Sequence, residues 1–178
     1  MTVCSIKSPD LGRFFHFFPL LLCTLIVNNT LAQRETYGYS TFAAPKSWQK
    51  TTGDGWVAYH TENKAKNSLC RMWVYQGFAS DGAPRTNFDH FWGQLIGIPY
   101  KTAQKPEMKT EQKDGWTIIA GGVPVNDQGY PYVGLLTVIN GHGVTATYFF
   151  LYDHEDYVAD IQQFKYKTMR KVNNRNFI

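Results

Sequence analysis

Residues 130–152 read YPYVGLLTVINGHGVTATYFFLY, two runs rich in Val, Ile, Thr, Tyr and Phe on either side of Asn140-Gly141-His142-Gly143. Such runs favour strands, and Asn-Gly accepts the positive φ angles that tight primed turns demand, so this stretch is expected to be a β-hairpin turning on that tetrapeptide. Alternation then puts Val133, Leu135, Thr137 and Ile139 on one face with Val144, Ala146, Tyr148, Phe150 and Tyr152. Tyr132, Leu136, Val138, Phe149 and Leu151 share the other. Both faces are apolar. A strand pair with no polar side needs cover above and below, which implies an α/β protein of the α+β type: a central twisted, mainly antiparallel sheet covered by helices on both faces.

Upstream of the hairpin, residues 37–44 alternate into Pro45 and read as a strand. A short strand follows, then the turn cluster Thr52-Gly53-Asp54-Gly55 and a return strand over residues 56–60. Trp48 and Trp56 flank this turn. The expected arrangement is a cross-strand stack, worth about 0.5–1.5 kcal/mol beyond area burial; the alternative is an exposed aromatic platform for a sugar or peptide. Residues 62–68 are polar and read as a loop, and residues 69–78 as a further strand in which Met72, Val74 and Gln76 alternate with Arg71, Trp73 and Tyr75. Thr86-Asn87-Phe88-Asp89 has the form of a capping box with Thr86 as the cap, opening a helix whose Phe88, Phe91 or Trp92, and Leu95 face the sheet. Gly97 and Pro99 end it.

Residues 101–113 carry an edge strand at most, over 107–111, and residues 116–125 resume strand character. Gly121-Gly122 within them signals a bulge or a close backbone approach. It is no phosphate loop, because no helix follows to receive the phosphate. Asn126-Asp127-Gln128-Gly129 turns the chain into the central hairpin. After Tyr152, Asp153 is placed to cap a last helix with Tyr157, Ile161, Phe164 and Thr168 on one side, and acidic residues in its first turn suit the helix dipole. The tail from residue 172 is polar and expected to fray.

The chain has 178 residues, enough for one domain with a substantial core. Residues 1–32 have the features of a signal peptide: Lys7 and Arg13 precede an apolar run over 14–27, and Asn29-Thr30-Leu31-Ala32 offers small residues for cleavage. A run that short does not span a bilayer comfortably, since roughly 20 apolar residues are needed. Residues 33–178 are then the mature domain, periplasmic or secreted, with no stable membrane span; an uncleaved anchor is the alternative. Leu22 before Cys23 makes a poor lipidation signal. Loss of Lys7, Arg13 and Asp10 with the leader leaves 16 basic against 13 acidic side chains, a net +3. That excess is too mild for a nucleic-acid reader. Loss of Cys4 and Cys23 leaves Cys70 alone, within an apolar strand where a buried, inert thiol is expected.

The chemistry-bearing residues are sparse. His60, His90, His142 and His154 are scattered without metal-ligand spacing, and no G-x-S-x-G, H-E-x-x-H or C-x-x-C is present. No cofactor or metal is expected. The candidate ligand contacts lie at hairpin loops: Trp48, Trp56, Tyr130 and His142. A small hydrolase or metal-dependent enzyme would instead use His142, Asp127 or the acidic turn at Asp153, its site assembled in the fold.

The residues "YSTFAAPKSW", 39–48, with their aromatic, Pro and Trp, and the closing aromatic strand with its helix, residues 148–164, resemble the PsbP-like proteins. These include an extrinsic photosystem subunit, a Ran-binding protein and bacterial envelope proteins of the DcrB type. The resemblance spans residues 37–171 and rests on core and turn positions. It implies a mostly non-enzymatic binding or accessory role, with an unidentified protein or envelope polymer as partner, and carries no functional residue over.

Overall fold

The computed structural model describes residues 34–80 and 82–167. The leader expected at 1–32, Cys23, Thr168 and the tail from 172 lie outside the described residues. The strands in chain order are β1 (Arg34–Tyr37), β2 (Ser40–Ala43), β3 (Gln49–Gly53), β4 (Trp56–Asn63) and β5 (Ser68–Tyr75), then β6 (Phe78–Ala79), β7 (Glu107–Lys113), β8 (Trp116–Asp127), β9 (Tyr130–Gly141) and β10 (Val144–Tyr152). Between β6 and β7 lies α1 (Pro84–Trp92), which passes into a π-helical turn, Gly93–Gly97. A 3-10 turn, Glu155–Tyr157, leads into α2 (Val158–Lys167).

β1 and β2 form a small hairpin of their own, and the large sheet runs β3-β4-β5-β10-β9-β8-β7, antiparallel throughout, with β6 pairing the start of β10. The central hairpin is present with the expected faces, and its turn falls within the expected tetrapeptide, though on His142-Gly143 and not on Asn140-Gly141. Gly141 pairs with Val144, so the two central residues are His142 and Gly143, with φ of 50° and 78°. Those are the positive angles of a primed turn. Asn140 and Gly141 are the last residues of β9. A turn moved by two residues leaves the faces unchanged, because side chains alternate with period two.

Two apolar clusters flank the sheet. One gathers Phe42 of β2, Tyr59, Met72, Tyr148 and Phe150 of the strands, and Ile161 and Phe164 of α2. The Phe164 ring sits 5.3 Å from Phe42, 5.6 Å from Tyr148 and 5.9 Å from Phe150. The other gathers Phe88 of α1 and Ile96 of the π turn with Ile119, Leu136, Val138 and Phe149. Gly121 lets α1 approach the sheet closely: a Cβ there would lie 2.9 Å from the Phe88 ring. The strand register through Gly121-Gly122 is unbroken, so the close approach holds and the bulge does not occur. Cys70 is fully buried, and burial above all pushes its thiol up, with Asp160 and Asp153 adding to the effect.

Several expected elements differ. Residues 37–44 are two strands, because Gly38 (φ 54°) turns the chain where a Cβ would strike the Gln76 carbonyl oxygen at 1.7 Å. The loop expected at 62–68 is shorter, since pairing continues out to Asn63 with Ser68. Thr86 is not a cap. α1 begins at Pro84 after Ala83, which makes no side-chain cap, and proline at the first position has no N–H to satisfy. Asp89 turns to Arg85 instead, 2.8 Å away.

The β1–β2 hairpin is tied down by polar contacts from the large sheet. Tyr59 donates its hydroxyl to Glu35 at 2.7 Å, Lys50 pairs with the same carboxylate, and Tyr148 donates to Ser40 at 2.8 Å. Burial would raise the Glu35 pKa, but the hydrogen bonds from Lys50 and Tyr59 outweigh it and hold the carboxyl below its ordinary value. A group depressed in the folded state contributes stability that is complete above its unfolded pKa, about 4.3, and lost as pH falls through the folded one. Glu35→Gln is therefore expected to lower the melting temperature at pH 7 and to flatten its fall on acidification. Equal acid sensitivity in the two proteins, measured by thermal unfolding from pH 7 to pH 2, would show that the contact contributes nothing.

Candidate functional site

The α1 side of the sheet is covered unevenly. α1 lies against β8 and β9, and Phe88 and Ile96 seal that part. Over β3, β4 and β5 the same face stays open. The register brings Trp73 beside Ala58, Ala58 beside Thr51, Arg71 beside His60 and Trp56 beside Tyr75. A shallow cleft of about 240 Å³ results, with Ala58 among its lining residues and Trp56, Trp73, His60, Arg71 and Glu62 around it. Glu62 is shared with a second recess, of about 300 Å³, whose lining includes Asn63, Leu69, Tyr130, Tyr132 and Asp153.

Each aromatic wall is held from behind. Trp56 lies across Gly53, its register partner: a Cβ there would meet the indole at 2.3 Å. Only glycine lets this ring lie down on the edge strand. Trp73 stacks on Phe149 with centroids 5.1 Å apart and planes 19° from parallel, which anchors it to the sealed half of the face. One row beyond Trp73, opposite His60, Arg71 is exposed and forms no hydrogen bond or ion pair among the described residues. Its field nonetheless reaches the neighbouring phenols. Burial raises Tyr100 and Tyr132, and the Arg71 charge acts against that rise in both. The arrangement offers two fixed apolar platforms with a free guanidinium fork beside Trp73, an imidazole and a carboxylate next to it.

Asp153 borders the second recess in a role other than the one expected. Its carboxylate accepts the Leu69 N–H at 2.9 and 3.1 Å, while its own N–H donates to the Leu69 carbonyl at 3.3 Å. It clamps the end of β10 to β5. The cap of the following turn is His154, whose Nδ1 accepts the Asp156 N–H at 3.2 Å. An imidazole nitrogen reaches two residues forward as an Asp oxygen would, while Asp153, still opposite Leu69, is spent on the sheet.

Of the four sequence candidates, Trp56 and Tyr130 reach the open face, one in each recess. Trp48 does not. Gly53 pairs with Trp56 while Gln49 pairs with His60, so Trp48 lies beyond the far end of β3 and cannot stack on Trp56. It packs edge-on against Tyr157, 6.5 Å away, in the cluster that contains α2. His142 is remote as well: its Nε2 lies 3.0 Å from the Asp114 carbonyl oxygen and its ring 4.9 Å from Trp116. Asp127 closes the opposite end of β8, about 36 Å from Trp116 at the usual rise per strand residue. His142, Asp127 and Asp153 therefore do not converge, and no three His, Cys, Asp or Glu side chains among the described residues are grouped to hold a metal. Arg71 and Trp73 join the site without having been sequence candidates. Their alternation was visible, but not that α1 would stop short of them.

An antiparallel sheet with one helix inserted before its last four strands and a second after them is a PsbP-like fold. The solution structure of cyanobacterial PsbP (CyanoP) from Synechocystis sp. PCC 6803 matches with a TM-score of 0.51 over 81% of this chain and 96% of that one, at 13% identity. At that identity the likeness is one of fold. No family model matches the sequence, and no curated protein matches it either.

Proposed function

We propose that this chain is an exported, non-catalytic binding or accessory protein of the cell envelope, and that it engages a protein or an envelope polymer through the open face over β3, β4 and β5. In this reading residues 1–32 direct export and residues 33–178 work as one domain, its sheet roofed by a helix on each face. The fold of its structural neighbour supports an accessory role, and no described helix is long and apolar enough to cross a membrane. The observation that carries the reading is Arg71, exposed and without an ion-pair partner, in the same cleft as Trp56 and Trp73. Aromatic and arginine side chains held ready in this way are those that dominate binding surfaces.

The test is recovery of the tagged protein from its native envelope. Wild type is expected to retain a partner that the double variant Trp56→Ala/Arg71→Glu loses at least tenfold, while Lys109→Glu on the exposed edge strand β7 keeps it. A double variant that retains everything the wild type retains, or a wild type that retains nothing, overturns the reading.

A further inference from the structure

Resting on that reading, we propose that the cleft over Ala58 takes one ring of an acidic saccharide, a uronic-acid unit of a polysaccharide chain. The cleft is too small for a drug-sized ligand, since such pockets run from about 300 to 1,000 Å³. It is also open at the top, which suits one unit of a polymer. A pyranose presents an apolar C–H face and a rim of hydroxyls, and this site has the matching halves. Trp56 and Trp73 offer indole surfaces, with Ala58 leaving the space between them unfilled. His60, Thr51 and Glu62 supply hydrogen-bonding groups at the rim.

The charge selects among saccharides. Arg71 has no carboxylate partner among the described residues, and a guanidinium binds a carboxylate bidentately. A peptide fits less well. Strand addition at β3 would need a row of side-chain pockets along that edge, and of its exposed residues only Thr51 lines a cleft. A helical peptide would need a long apolar groove, and this cleft is lined by Thr51, His60, Glu62 and Arg71 as well as by its aromatic residues.

The experiment is calorimetric titration of the full mature chain with an oligomer of galacturonic acid, with the same oligomer methyl-esterified and so uncharged, and with an oligoglutamate peptide. The free acid is expected to bind, and esterification to weaken it about tenfold, near 1.4 kcal/mol. Arg71→Gln should lose that preference while keeping the binding of the ester, Trp56→Ala should lose both, and Trp56→Phe should restore part of it. Absence of binding by the acid, equal binding of acid and ester to the wild type, or oligoglutamate displacing the saccharide would each overturn the proposal. Should the saccharide fail while envelope recovery still depends on Trp56 and Arg71, only the ligand class falls. Should both fail, the binding face falls with it.

Discussion

Phe150→Ala is expected to cost about 3–5 kcal/mol of folding stability, the range for truncating a fully buried aromatic side chain. Phe150 has no solvent exposure and lies in the centre of the sheet, with Met72 of β5 and Leu135 of β9 as its register partners. Its ring also meets Phe164 of α2 at 5.9 Å. The cavity left by alanine would thus open between the sheet and a helix that both depend on that ring. Backbone pairing on both sides of β10 prevents the strands from closing it. Denaturant unfolding should show the midpoint fall with an unchanged slope. Phe78→Ala is the internal comparison, since Phe78 is 41% exposed and its loss should stay near 1 kcal/mol. Equal losses at the two positions would mean that the cluster containing α2 is not a tightly packed core.

The same substitution at two neighbouring glycines should give opposite outcomes. Gly141→Asn is expected to destabilise by about 2–3 kcal/mol or more, as overpacking does, whereas Gly143→Asn should stay within about 1 kcal/mol. A Cβ on Gly141 would lie 2.5 Å from the Gly115 carbonyl oxygen and 3.0 Å from the Trp116 Cα. Those atoms are backbone of the β7–β8 turn and of the first residue of β8, and cannot rotate away. Gly143 has a φ of 78° and open space around it, and Asn is the residue after glycine that best tolerates that conformation. Asn-Gly at 140–141 thus owes its glycine to close packing against the β7–β8 turn, and the positive angles fall to His142 and Gly143. If Gly143→Asn proved the more harmful in thermal or denaturant unfolding, the turn would be centred elsewhere.

The faces of β9 and β10, the inert Cys70, the edge strand β7 and the aromatic side of α1 were all legible because each follows from alternation or helical spacing within a few residues. The site was half legible. Trp56 announces itself beside a turn, and so does Trp48, yet the register of β3 on β4 sends them to different ends of the strand. Thr86 and Asp153 have the composition of caps, but Pro84 starts α1 earlier and Leu69 claims the Asp153 carboxylate from across the sheet. In both cases a local preference lost to a partner distant in sequence.

What the sequence by itself determined is the ribbon of strands: apolar residues on both sides, glycine-rich turns, and an antiparallel order set by short connections. Tertiary structure alone decided where that ribbon stays open. α1 docks over Gly121, where a missing side chain lets Phe88 settle, and its nine residues end before they reach Trp73, Arg71 and Trp56. Which side chains face water is fixed by the register of several strands and the seat of one helix at once, and no single stretch of chain carries that sum.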